Sequence, residues 1–155
     1  MEQNVSMKIN ELPSPTWNWL KVNETSIKWS TKIERCEIAA EGDAVATETE
    51  QLSDIETGAG READAIFATE NTAKYQILAD NAGQDKTVRL HISGKKDAHT
   101  AGCVEIVAKE NSTLTVVMDS RVASDAVKVE DSTTEASLAV RVRMKVESGD
   151  RKSVV

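Results

Sequence analysis

Long apolar runs, aromatic residues, cysteines and basic charge are all scarce in this chain of 155 residues. No apolar run approaches the roughly 20 residues of a membrane-spanning helix. No apolar stretch follows Met1 as it would in a signal peptide. The expectation is a cytoplasmic protein with no membrane partner. The two cysteines, Cys36 and Cys103, are too few and too far apart for a disulfide framework and suit a reducing compartment. Lys and Arg number 19 against 26 Asp and Glu, a formal charge of −7, which makes a poor nonspecific nucleic-acid binder. Aromatics are only 3% of the chain.

Catalytic signatures are missing as well. There is no Gly-x-Ser-x-Gly elbow. Gly58-Ala59-Gly60 is too short for a phosphate cradle and lacks the Lys-Ser/Thr of a P-loop. No Cys-x-x-Cys and no helical His pair offers a metal site, whereas an iron–sulfur cluster needs several converging thiolates or imidazoles. Cys36, Cys103, His91 and His99 are the available ligands, and Cys103 and His91 the weak metal candidates. Both point away from their apolar strand neighbours, and favourable stacking would bring them close. Paired carboxylates for glycoside cleavage stay open, because any of the 26 acids can meet another in space. The expectation is a protein that is not an enzyme.

What is present is unevenly placed. Residues 1–80 hold 15 acids and 7 bases, a net of −8, and residues 81–155 hold 11 acids and 12 bases, a net of +1. All three tryptophans (Trp17, Trp19, Trp29), Phe67 and Tyr75 lie in the first part. Residues 1–10 read as a frayed start, and the prolines of Leu12-Pro13-Ser14-Pro15-Thr16 dictate an extended stretch. Trp17 and Trp19 either anchor this segment onto its own core or form a docking surface, since Trp is enriched at interface hot spots. Residues 39–57, with Glu48, Glu50, Asp54 and Glu56, read as a solvated loop or irregular helix. Ala63, Ile66 and Phe67 then share one face of a short amphipathic helix.

From Tyr75 the period changes to two. Strands are expected at 75–79, 88–92, 104–108, 114–118 and 140–146, separated by polar turns. The last has Val140, Val142 and Met144 on one face and the basic row Arg141, Arg143 and Lys145 on the other. That row either guards an edge strand or meets an acidic partner, the chain's own first part or a paralogue. A sandwich, a barrel and a parallel β-helix compete; small β-branched residues and Asn/Ser/Gly turns lean toward the last.

Ile55-Glu56-Thr57-Gly58-Ala59-Gly60-Arg61-Glu62, Thr87-Val88-Arg89-Leu90-His91-Ile92 and, above all, Val104 to Met118 resemble segments of the SufB/SufD family of iron–sulfur cluster assembly proteins. Leu12 to Asn23 is similar to the N-terminus of short bacterial members. The resemblance implies an α+β fold: a mostly helical region over residues 1–80, then an incomplete right-handed parallel β-helix over 81–155, with an all-β sandwich as the alternative. It implies a non-catalytic scaffold subunit that works with a SufB-like paralogue and a SufC-type ABC ATPase, in a complex that carries an iron–sulfur cluster. Family members continue well past the position of Val155. The ATPase-docking helices and cluster-associated Cys and His residues lie there, so none is carried onto this chain. An uncapped last coil would expose residues 137–146 as an open edge that either pairs with another chain, as in a homodimer through that end, or mediates aggregation. The interface candidates are Trp17 and Trp19 in the first part and Val140, Val142 and Met144 on the last strand. The alternative function is a carbohydrate-active or carbohydrate-binding β-solenoid module, although its strands lack the aromatic platforms such sites display.

Overall fold

Alternation of apolar and polar residues begins much earlier than residue 75. The computed structural model describes residues 4–9, 25–30, 32–42, 45–55, 60–68, 70–80, 85–123 and 136–147. Asn4–Ile9 (β1) and Thr25–Ser30 (β2) form an antiparallel pair, with Val5 opposite Trp29 and Met7 opposite Ile27. Ile33–Arg35 (β3), Glu37–Gly42 (β4) and Val45–Thr47 (β5) follow. After the helix Arg61–Phe67 (α1) come Ala73–Ala79 (β6), Asp85–Gly94 (β7), His99–Ala108 (β8), Thr113–Val122 (β9) and Ser137–Val146 (β10).

This order corrects the expected fold class. Among the described residues α1 is the one helix, and the first 80 residues contain β1 to β5 and β6 rather than a helical region. The expected parallel β-helix is overturned with it, because the strands lie in sheets of mixed direction. The apolar alternations Val5-Met7-Ile9 and Ile27-Trp29, five and three residues long, are too brief to register until their partner strand is in place. Of residues 39–57, expected as loop or irregular helix, 39–42 lie in β4 and 45–47 form β5.

One sheet runs β10-β8-β6-β5, with β3 beside the first residues of β8; the other runs β4-β7-β9. Within the first, β10 and β6 flank β8 in parallel, and β5 is antiparallel to β6. In the second, β9 is parallel and β4 antiparallel to the central β7. From β6 to β10 successive strands therefore alternate between the two layers.

The layers meet over one core: Ile77, Val104 and Ile106 from one side face Val88, Leu90 and Ile92 from the other. Each such large side chain, fully buried, contributes roughly 1.5–3 kcal/mol. A second cluster, Trp29, Ile33, Ile66 and Ala101, seats α1 and β2 on the outer face of the β8 sheet. β8 is thus covered on both faces, and every residue from Thr100 to Ala108 is buried. Two glycines are dictated by close approach. A Cβ on Gly102 would overlap Cys36 Sγ, and Gly42, at φ +125°, lies against the Thr87 carbonyl. The turns use residues that tolerate positive φ, Asp97 at 55° and Asn111 at 58°.

Candidate functional site

The outer face of the β8 sheet gathers most of the buried charge. In a parallel ladder, residues in register point to the same face. Two rows therefore cross the sheet, Lys74-Cys103-Arg141 and Gln76-Glu105-Arg143. The segment 48–55 lies over these rows. Glu105 is 1% exposed. Its two carboxylate oxygens accept from the main-chain N–H groups of Gln51 and Leu52 at 2.7 Å each, and Gln76 Nε2 donates at 3.1 Å. Glu50 takes Lys74 Nζ at 2.7 Å and accepts from Arg141 Nη2 and Arg143 Nη1 at 2.8 Å each. Arg141 also lies 3.6 Å from Asp64 and over the Phe67 ring, 5.0 Å from its centroid.

Burial by itself would raise the Glu50 carboxyl, but the bond and charge of Lys74 and the two guanidinium charges outweigh it and hold the group below its ordinary value. Arg141 and Arg143 of the basic row therefore meet an acidic partner within their own chain, while Lys145 is exposed. Breaking a buried ion pair leaves an uncompensated charge, so this cluster pins segment 48–55 and α1 onto the sheet. Its geometry is structural.

The sequence candidates are dispersed. His91 stands on the outer face of the other sheet, 3.9 Å from Glu41 and 3.8 Å from Asp119. Cys103 lies on the opposite outer face, among the Arg141 and Lys74 side of β8. The thickness of both sheets separates the two, and they do not share a site. His99 opens β8, with Nδ1 2.7 Å from Ser137 Oγ and its ring 5.4 Å from that of Trp29. Burial pushes the Cys36 thiol up to about 11 and raises that of Cys103 as well. Neither is a thiolate at neutral pH, the form that attacks or ligates. Among the described residues no three His, Cys, Asp or Glu side chains gather as a metal site.

A comparison with protein-family models, with curated proteins and with solved structures finds no match to this chain. No relative lends its site to these residues.

Val140, Val142 and Met144, the interface candidates of the last strand, are partly buried against the core between the sheets. Trp17 and Trp19 lie outside the described residues. An open cleft of about 350 Å³ is lined by Cys36, Tyr75, Arg35, Lys74 and Lys95. Each of its cations already has a carboxylate: Arg35 has Glu48 at 2.9 Å, Lys95 has Glu34 at 3.1 Å and Lys74 has Glu50. What stands free is backbone. Among the described residues, no strand pairs with the far side of β9 or of β10, and these two edges lie on the same side of the stacked sheets. The three exposed large apolar side chains of the described residues, Val117, Met118 and Val122, are all on β9.

The sequence reading missed Glu105 and Glu50 as a buried anchor. Glu105 is the lone charge in the apolar run Ala101 to Ala108, and that isolation was the available signal for a charge buried with partners. Glu50 carried no signal, since an acid in a charge run looks the same in sequence whether it faces water or an arginine. No described helix is long and apolar enough to cross a membrane.

Proposed function

We propose that the chain is a non-catalytic interaction module, with the iron–sulfur assembly scaffold suggested by the resemblance of residues 104–118 as its specific form. The observation that carries this reading is the pair of free edges. β9 and β10 are ten-residue strands, unpaired by any described strand on one side of the molecule. Edges of that length present rows of free N–H and C=O groups to another chain. The buried charge supports the same reading from the other side. Glu50, Glu105, Arg141 and Arg143 neutralise one another and hold the sheet rigid, so the edges are presented on a fixed frame.

In the scaffold form, the partners are a SufB-like paralogue and a SufC-type ATPase, and an iron–sulfur cluster is cargo of the complex. The test is co-expression of the chain with a tagged SufB-like paralogue, followed by affinity and size-exclusion chromatography. Co-elution in a fixed stoichiometry supports the scaffold form. Separate elution counts against it.

A further inference from the structure

We infer that β9 pairs antiparallel with β9 of a second copy of this chain, about a twofold axis through Ser120; the inference rests on the interaction reading above and names its partner.

The backbone directions come first. Ala123 N–H donates to Gly94 O at 3.0 Å, and Gly94 stands in register with Val122. Alternation along a parallel ladder then turns the N–H and C=O of the odd-numbered residues toward β7. Those of Leu114, Val116, Met118, Ser120 and Val122 point to the free edge, where no described strand receives them.

The side chains around Ser120 are self-complementary. On the outer face Asp119 and Arg121 carry opposite charges two positions apart, and Arg121 is 78% exposed. On the inner face Met118 and Val122 are 41% and 36% exposed. In an antiparallel pair centred on Ser120, residue 119 faces residue 121 of the copy and residue 118 faces residue 122. Asp119 then meets Arg121 twice, once from each chain, and Met118 covers Val122 twice. Val117, 44% exposed, comes opposite Ala123. Ser120 exchanges both main-chain bonds with its own copy, and Met118 exchanges both with Val122. Asp119 and Arg121 fall at the non-hydrogen-bonded positions, where opposing side chains come closest.

A guard of like charges would repel a second copy. This edge instead carries one acid and one base, placed so that the twofold operation matches them. The opposite side of the molecule offers no equivalent, because β4 has six residues and β5 three, against ten in β9. Asp119 and Arg121 already form a bidentate pair, Nε to Oδ1 at 3.1 Å and Nη2 to Oδ2 at 2.7 Å; association exchanges that pair in each chain for two equivalent pairs across the axis, so it forfeits no ion pair.

The experiment is sedimentation velocity on the full chain across the micromolar range. The expected result is a monomer–dimer equilibrium. Arg121→Asp sets like charges opposite each other and weakens association by about tenfold or more. The double variant Asp119→Arg with Arg121→Asp restores it, because the swapped pair is again self-complementary. Ser120→Pro removes an edge-facing N–H without touching the β7 ladder and abolishes the dimer. The charge swap keeps the test valid even if the proline is not tolerated. Amide exchange adds a second readout: the Ser120 and Val122 N–H groups become protected as concentration rises, while the odd-numbered amides of β9 are protected throughout. A chain that stays monomeric, or a dimer indifferent to Arg121→Asp, overturns the inference. A monomer that still co-elutes with the SufB-like paralogue overturns it while leaving the interaction reading standing.

Discussion

Glu105→Gln is the sharpest probe of the buried charge, because it keeps the shape of the side chain and removes one acceptor. In the native chain each carboxylate oxygen receives a main-chain N–H at 2.7 Å, one from Gln51 and one from Leu52. An amide has a single oxygen, so whichever way it is turned its NH₂ faces one of those donors. A buried donor left without an acceptor costs about 1–3 kcal/mol. The bond that survives passes from a charged to a neutral acceptor, a further loss of about 1 kcal/mol. Arg143, 3.9 Å from Glu105, keeps its bond to Glu50 and adds little. The expected loss is therefore about 2–4 kcal/mol. A chain of this size loses about 2–4 °C of Tm per kcal/mol, so Tm should fall by about 5–15 °C. Urea denaturation measures the first figure and calorimetry the second. Amide exchange at Gln51 and Leu52 should quicken more than at β7, since the anchored segment loosens before the core. A change below about 0.5 kcal/mol, with unaltered exchange at both amides, would refute the anchoring role.

Three further outcomes follow from the same contacts. Glu50 has a folded-state carboxyl below its ordinary value of 4.5. Its contribution to stability is fully present above that value and is lost as the pH falls through the lower folded one. An acid titration followed by circular dichroism should show a shallower loss in Glu50→Gln than in the native chain, and equal slopes would contradict the assignment. Gly102→Ala drives a methyl group into Cys36 Sγ and should destabilise by about 1–3 kcal/mol. Adding Cys36→Ala should recover most of that, and strict additivity in the double-mutant cycle would argue that the two sites do not touch. With the Cys36 thiol at about 11 and Cys103 also raised by burial, both cysteines should react with a disulfide reagent only on unfolding. Rapid labelling of the native chain at pH 8 would overturn their burial.

What the sequence determined by itself is local. Strands at 75–79, 88–92, 104–108, 114–118 and 140–146 were readable because alternation is a property of neighbours along the chain, and β6 to β10 contain all five. The helix at Arg61–Phe67 announced itself through Ala63, Ile66 and Phe67 in the same way. Asp97 and Asn111 sit at positive φ within turns that their polar runs had marked.

The tertiary structure alone decided the rest. It put β1 against β2 and β4 against β7, where a helical region was expected, because strands of six residues or fewer carry too short an alternation to be decisive, and nothing within a strand names its distant partner. It buried Glu105 by covering β8 on both faces. It also brought Arg141 to Glu50 across 91 residues of chain. A basic row in sequence reads as a solvated face or a docking surface; which it becomes depends on what is laid over it. Here segment 48–55 occupies that face, and what stays unpaired among the described residues is the edge backbone of β9 and β10.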